Sequence, residues 1–438
     1  MVKVAKFGGS SVANAEQFQK VKSIIRADSE RRIIVTSASG KVDKEDHKIT
    51  DLLYLCYEHK KYGMTIDPIF DLVRAKLTTI AKELSLVPSI ERELDNLYHN
   101  ILQGMEREVL VSRGEYLTAK LLSDYLGYTF VDAKDIIFFR YDKELDEKKT
   151  EDAFKKALEE HPCMVVPGFY GALPDGSISL MTRGGSDITG SILAHLSDAE
   201  RYENWTDVSG ILKADPRIVA TPKQIDVISY EELRELSYMG FSVIHEEAVY
   251  PIKKKNIPIH ILNTNEPNNR GTIILNSVDA ETSGMITGVA GKKDFSILTM
   301  VKEHLFKDMW TIRKALDVLE HYHIPVEQIA TGIDTFSFVI QTRLLKPLYH
   351  EIVHHLYDTC QIDRVTVLHE KALITTVSRF MKNKTGMSGR LFKTLGEREI
   401  NIAFISQTSD EMNIILGVDN DRYEETIQAI YDEFEGEK

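Results

Sequence analysis

The chain has 438 residues, 43% of them hydrophobic and 28% charged, with a formal net charge of −13 and three cysteines. That length exceeds what one hydrophobic core organises and implies two or three domains. No apolar run approaches the roughly 20 residues of a membrane span, and the acidic balance repels nucleic acid phosphate. Cys56, Cys163 and Cys360 lie far apart without a Cys-x-x-Cys pair, which argues against a disulfide framework or a cysteine zinc site. The first residues run straight into a charged strand without a secretory pattern, so the expected location is cytoplasmic.

In chain order, residues 2–7 read as an apolar strand that runs through Lys6 into Gly8, Gly9, Ser10 and Ser11, and residues 13–26 read as a helix. Glycines let backbone N–H groups approach an anion, the serines add donors, Lys6 adds a mobile charge and the helix start adds a partial one. The turn therefore suits phosphate, although a glycine turn after a strand is also ordinary punctuation. Residues 32–37 form a second strand ending at Ser37, and a helix starts at Thr50 after a charged insertion. Residues 48–127 carry helical spacing with a break near Pro88, and within them Ser112-Arg113-Gly114-Glu115 places Glu115 at the start of an apolar helix. A carboxylate there serves either the helix dipole or a substrate amine. The mixed charges of 142–152 read as a solvated connection before a helix over 153–159 and a strand over 164–167. This alternation implies a mostly parallel sheet sandwiched by helices.

Arg183-Gly184-Gly185-Ser186-Asp187 precedes a second apolar helix. Arg183 can grip a carboxylate or phosphate through two parallel hydrogen bonds, and the Gly184-Gly185-Ser186 backbone offers further donors. Asp187 is repelled by an anion and suits a cation, whether Lys6, a substrate ammonium or a metal, unless it is only a helix cap. Thr206 and Asp207 end a strand and suit the ribose or phosphates of a nucleotide, with Arg217 beyond the turn former Asp215; a charged surface turn is the alternative. All these loops fall at the C-terminal ends of strands, where open parallel sheets bind ligands. Neither a Gly-x-x-x-x-Gly-Lys-Ser/Thr loop nor the protein-kinase motif set occurs.

Glycines 284, 288 and 291 mark a boundary, beyond which the apolar pattern repeats at an offset of 76: Ile297 falls on Leu373, Leu319 on Leu395, Ile324 on Ile400, Ile329 on Ile405 and Val339 on Ile415. Each copy reads strand, helix, strand, strand, helix. The first continues into a strand over 364–369 and the second ends one strand short, so the copies are expected to share strands, to pack side by side or to pair between chains. His321, His323, His354 and His355 read as helix-surface residues, lacking partners spaced for a metal site.

The motifs at 6–12, 112–115, 183–187 and 205–217 resemble those of the aspartate kinases of the amino acid kinase family, and the resemblance spans the chain. The tail is similar to tandem ACT domains. The resemblance implies an amino acid kinase fold over 1–285 and ferredoxin-like ACT units over 292–370 and 371–438. It implies ATP with Mg2+ as cofactors and transfer of the γ-phosphoryl group to the β-carboxylate of L-aspartate. That reaction opens lysine, methionine and threonine biosynthesis. It also implies a homodimer or dimer of dimers, with no nucleic acid or membrane partner and no protein-held metal.

Residue by residue, the resemblance assigns Lys6 and Asp187 to catalysis. Lys6, Gly8, Gly9, Ser10, Ser37, Thr206, Asp207, Leu212 and Arg217 go to ATP, and Thr50, Glu115, Arg183, Gly184, Gly185 and Ser186 to aspartate. Asp308, Met309, Thr331 and Asp334 match a region holding an amino acid effector, with lysine favoured. Leu212 stands where tyrosine is frequent, Ser242 where lysine or glutamine is usual and Glu246 where proline is common, and residues 41–47 look like an insertion. A kinase of another amino-acid carboxylate and a catalytically silent sensor are the alternatives; retention of Lys6, Glu115, Arg183 and Asp187 opposes the second.

Overall fold

The structure, a computed structural model, describes all residues except 182–183, 241–243, 245, 279–283, 382–383, 408–411 and 437–438, with the side chains of 87, 88 and 246 also excluded. Two compact units result: one of residues 1–211, 224–230 and 242–278, the other of 212–223, 231–241 and 279–438. The expected span 1–285 is thus cut differently, because its segments 212–223 and 231–241 pack with the tail.

An eight-stranded sheet organises the first unit, in the spatial order Val227–Ser229, Thr272–Leu275, Ile259–Asn263, Arg201–Thr206, Lys3–Phe7, Arg31–Thr36, Met164–Pro167 and Thr129–Phe130. The pairings are parallel except where Thr272–Leu275 meets Ile259–Asn263. Central strands buried on both faces explain the continuous apolar runs such as Ile33–Val35. The first helix starts at Ala15, two residues later than its sequence suggests, because Asn14 caps it by accepting the Gln17 N–H at 2.9 Å. Four helices, Ile49–Lys61, Asp67–Glu83, Val87–Leu102 and Arg107–Leu126, form the helical layer. The helix expected over 153–159 extends over Glu147–Glu160, since the Asp146 side chain caps it at the Lys149 N–H.

In the second unit a six-stranded antiparallel sheet runs Gln328–Thr331, Thr335–Gln341, Gly288–Val301, Arg364–Val377, Asn413–Asp419 and Phe404–Ser406. The offset of 76 carries Gly288–Val301 onto Arg364–Val377 and the left-handed residues Asp294 and His323 onto Glu370 and Glu399. The two long strands serve both halves: Phe295–Val301 pairs with Lys371–Arg364, while Gly288–Lys292 pairs with Val377–Leu373. The second copy's missing strand is therefore supplied by residues 288–292, and the halves share strands. Each half keeps its own apolar core, one around Phe336, Phe338 and Leu356, the other around Leu416, Ile430 and Phe434. Lys213 and Glu435, both nearly buried, pair at 2.6 Å within this unit.

Candidate active site

The strand Lys3–Phe7 ends in a loop stapled to its neighbours by backbone bonds, Gly8 N–H to the Trp205 carbonyl at 2.9 Å, Ser37 N–H to Phe7 at 3.0 Å and Gly40 N–H to Gly9 at 2.9 Å. One expectation changes here: the Gly8 N–H is engaged by Trp205 and does not point freely at a phosphate. Ser10 opens a 3₁₀ turn, Ser10–Val12, and the neighbouring Ser11 hydroxyl bonds Thr264 Oγ1 at 2.7 Å, holding the turn to the loop after Ile259–Asn263, two strands away.

Lys6 lies on a central strand buried on both faces and extends Nζ to Asp187 Oδ1 at 2.6 Å. Asp187 comes from the first turn of the helix Gly185–Leu196, whose N-cap Gly184 takes a left-handed φ of 79° that costs a side-chain-bearing residue energy. Gly185 permits the helix to approach the preceding loop: a Cβ there would stand 2.7 Å from Phe169 Cδ2 and 2.9 Å from Met181 Cβ. Phe169 holds a φ of 81°, uncommon for an aromatic residue, fixed by its N–H to Thr189 Oγ1 at 3.1 Å and its carbonyl to the Met181 N–H at 2.8 Å.

Glu115 sits in the middle of the helix Arg107–Leu126 and not in a first turn, so the helix-dipole alternative does not apply. That helix is buried on most sides, and Glu115 is 2% exposed. Thr50 donates its hydroxyl to Oε1 at 3.5 Å, and Oε2 has no hydrogen-bond partner among the described residues. Desolvation pushes the carboxyl up to about 7, opposed by the charge of Lys48 and the Ala38 amide. Once ionised, such a carboxylate in a dry wall is a receptor for a cation.

Lys6, Ser37, Thr50, Glu115, Gly184, Gly185, Ser186 and Asp187 line one cleft of about 450 Å³, together with Lys48, Asp51, Tyr54, Phe169 and Met181. Arg183 and Ser242 lie outside the described residues. Thr206 is half-buried at its strand end and bonds the exposed Asp207 carboxylate at 3.1 Å. Leu212 and Arg217 belong to the second unit, where Arg217 is exposed and doubly bonded to Asp215. Asp215 also accepts the Arg217 N–H at 2.9 Å, as a turn former does. A larger hollow of about 730 Å³ beside Trp205 and Arg31 has its cations already matched, Lys20 by Glu16 at 2.8 Å and Arg31 by Glu203 at 2.7 Å.

Sequence reasoning missed Asn204. It bridges Lys6 and Asp187, accepting from Nζ at 3.2 Å and donating to Oδ1 at 3.1 Å. Lys48, which precedes the helix Ile49–Lys61, was also missed, because it adjoins a run of surface charges.

In the tail, Asp308 pairs with Lys302 at 3.1 Å, which holds its carboxyl below the ordinary range, and Thr311 donates to it at 3.0 Å. The Lys302 N–H bonds the Asp334 carbonyl, and the Asp334 carboxylate accepts the His304 N–H at 2.9 Å. Asp308 and Asp334 therefore meet around Lys302 and His304, with Met309 and Thr331 exposed.

Residues 1–263 match the profile described as the amino acid kinase family, and residues 374–434 match an ACT domain profile. Aspartokinase 3 of Bacillus subtilis is 33% identical over 448 aligned residues, covering 99% of this chain and 98% of the relative. The crystal structure of Clostridium acetobutylicum aspartate kinase, described as an allosteric enzyme, superposes with a TM-score of 0.91 at 42% identity, covering 99% of both chains. Escherichia coli aspartokinase III in complex with aspartate and ADP shares the fold, with a TM-score of 0.77, 23% identity and 99% of both chains covered.

Proposed function

Because this chain belongs to the aspartokinases of the amino acid kinase family, we propose that it transfers the γ-phosphoryl group of ATP to the β-carboxylate of L-aspartate, giving 4-phospho-L-aspartate. The observation that carries this reading is the pairing of two features in one cleft: the buried Lys6–Asp187 ion pair at the strand ends and the partner-short carboxylate of Glu115. A carboxylate nucleophile is ionised at pH 7, so no general base is required and catalysis reduces to positioning and charge neutralisation. Glu115 receives the aspartate ammonium, while the Gly184-Gly185-Ser186 segment and Arg183 take its α-carboxylate. Asp187 orients Lys6 in the cleft, and Lys6 turns from it toward the phosphoryl oxygens for transfer. Thr206 and Asp207 serve the nucleotide, and Leu212 and Arg217 remain assigned to it by resemblance.

Magnesium fits as a companion of the ATP phosphates, since it takes one or two carboxylates with phosphate oxygens and water. Asp187 and Asp51 are the aspartates lining this cleft. When bound, the ion neutralises charge on the phosphates. The product opens the lysine, methionine and threonine route, and the ACT tail supplies feedback inhibition, with lysine as the effector around Asp308, Met309, Thr331 and Asp334. Association through the ACT units and a cytoplasmic location complete the proposal.

Lys6→Ala tests the assignment: kcat should fall at least 100-fold while circular dichroism still reports a folded chain, with a melting transition lowered by the loss of the buried pair. Retained turnover, or a parallel loss of folding, would contradict the role given to Lys6.

A further inference from the structure

Lys6 and Asn204 are register partners on adjacent parallel strands, so their side chains leave the sheet on one face. That face meets the first turns of the helix Gly185–Leu196, where Tyr202 donates its hydroxyl to the Asp187 carbonyl at 3.3 Å. The three side chains form a closed triangle, with Lys6 to Asp187 at 2.6 Å, Lys6 to Asn204 at 3.2 Å and Asn204 to Asp187 at 3.1 Å. All are buried, and Asn204 is 1% exposed. An apolar residue would be the cheaper occupant of a central strand, because a buried amide is tolerated only when bonded. Here the amide presents its oxygen to the cation and its nitrogen to the carboxylate, the one orientation that serves both.

We propose that Asn204 is a positioning residue for phosphoryl transfer, acting through Lys6 and Asp187. The inference rests on the reading of this cleft as the kinase site. When Lys6 turns toward the phosphates it gives up its short contact with Asp187. Asn204 then holds the carboxylate by its own N–H and keeps an acceptor beside the ammonium, so neither partner collapses onto the other or drifts. Misplacement of a catalytic group by about 1 Å costs on the order of 100-fold in rate, which sets the scale of the effect.

The test is steady-state kinetics of Asn204→Leu and Asn204→Asp in the full chain, beside wild type, with melting temperatures. Asn204→Leu removes both bonds at similar volume and should lower kcat about 10- to 100-fold. Its KM values for aspartate and ATP should stay within about threefold, and its melting temperature should fall only modestly, because Lys6 and Asp187 keep each other as partners. Asn204→Asp should lower kcat at least as far, because a second carboxylate repels Asp187 and retains Lys6. A kcat within about twofold of wild type in either variant overturns the inference, as does a loss that tracks a steeply lowered melting temperature. Wild type that turns over normally beside a normal Asn204→Leu isolates the failure to Asn204. Wild type inactive with aspartate overturns the reading of the cleft and this inference with it.

Discussion

At the residue scale, Glu115 carries the sharpest consequence. Burial raises its carboxyl from an ordinary 4.5 to about 7, so the folded chain holds a proton that the unfolded chain releases. Such a group weakens the fold progressively as pH rises from about 4.5 to about 7 and leaves it weakened above. Glu115→Gln should therefore melt higher than wild type at pH 8, with the difference vanishing near pH 4, while KM for aspartate rises tenfold or more. In wild type, KM for aspartate should climb as pH falls through about 7, because the protonated carboxyl no longer pairs with the ammonium. A KM that stays flat from pH 8 to pH 6 would remove Glu115 from substrate recognition. The sequence singled out Glu115 but assigned it to a helix start; the helix runs over Arg107–Leu126 and puts Glu115 in its middle.

At the element scale, the cleft depends on how closely the helix Gly185–Leu196 approaches the Gly168–Phe169 loop. A Cβ on Gly168 would stand 2.6 Å from Ser186 Cβ, and one on Gly185 would press on Phe169 and Met181, both in the cleft wall. Gly185→Ala should destabilise the chain by about 1–3 kcal/mol, as overpacking does, and should raise KM for aspartate; chemical denaturation and kinetics check the two. An unchanged midpoint would mean that the wall yields more easily than its contacts suggest. Strands and helices here were legible from periodicity, and so was the clustering of Lys6, Asp187, Thr50, Gly184 and Gly185, because loops at parallel strand ends converge. Asn204 was not legible, because its role follows from register with Lys6, 198 residues away. The engagement of the Gly8 N–H by Trp205 is likewise a pairing fact that local sequence does not encode.

At the scale of the whole molecule, the chain divides into a parallel-sheet unit and an antiparallel unit whose halves are built on two shared 14-residue strands. The repeat was visible as an offset in apolar positions. The shared strands were foreseen as one of several options, and the breaks at Asp294 and Glu370 in corresponding positions show where one half passes into the other. The packing of 212–223 and 231–241 with the tail had no sequence signal, since these segments sit within the kinase profile's span. If the tail senses lysine around Asp308, Asp308→Ala should raise the lysine concentration for half-inhibition tenfold or more. An unchanged inhibition curve would move the effector site elsewhere.

Phosphoryl transfer to aspartate is read out by coupled ADP release with the purified chain, ATP and magnesium. Turnover should depend on L-aspartate, be accompanied by hydroxylamine-trappable acyl phosphate and find no support from glutamate. ADP release indifferent to aspartate, or supported better by glutamate, would contradict it.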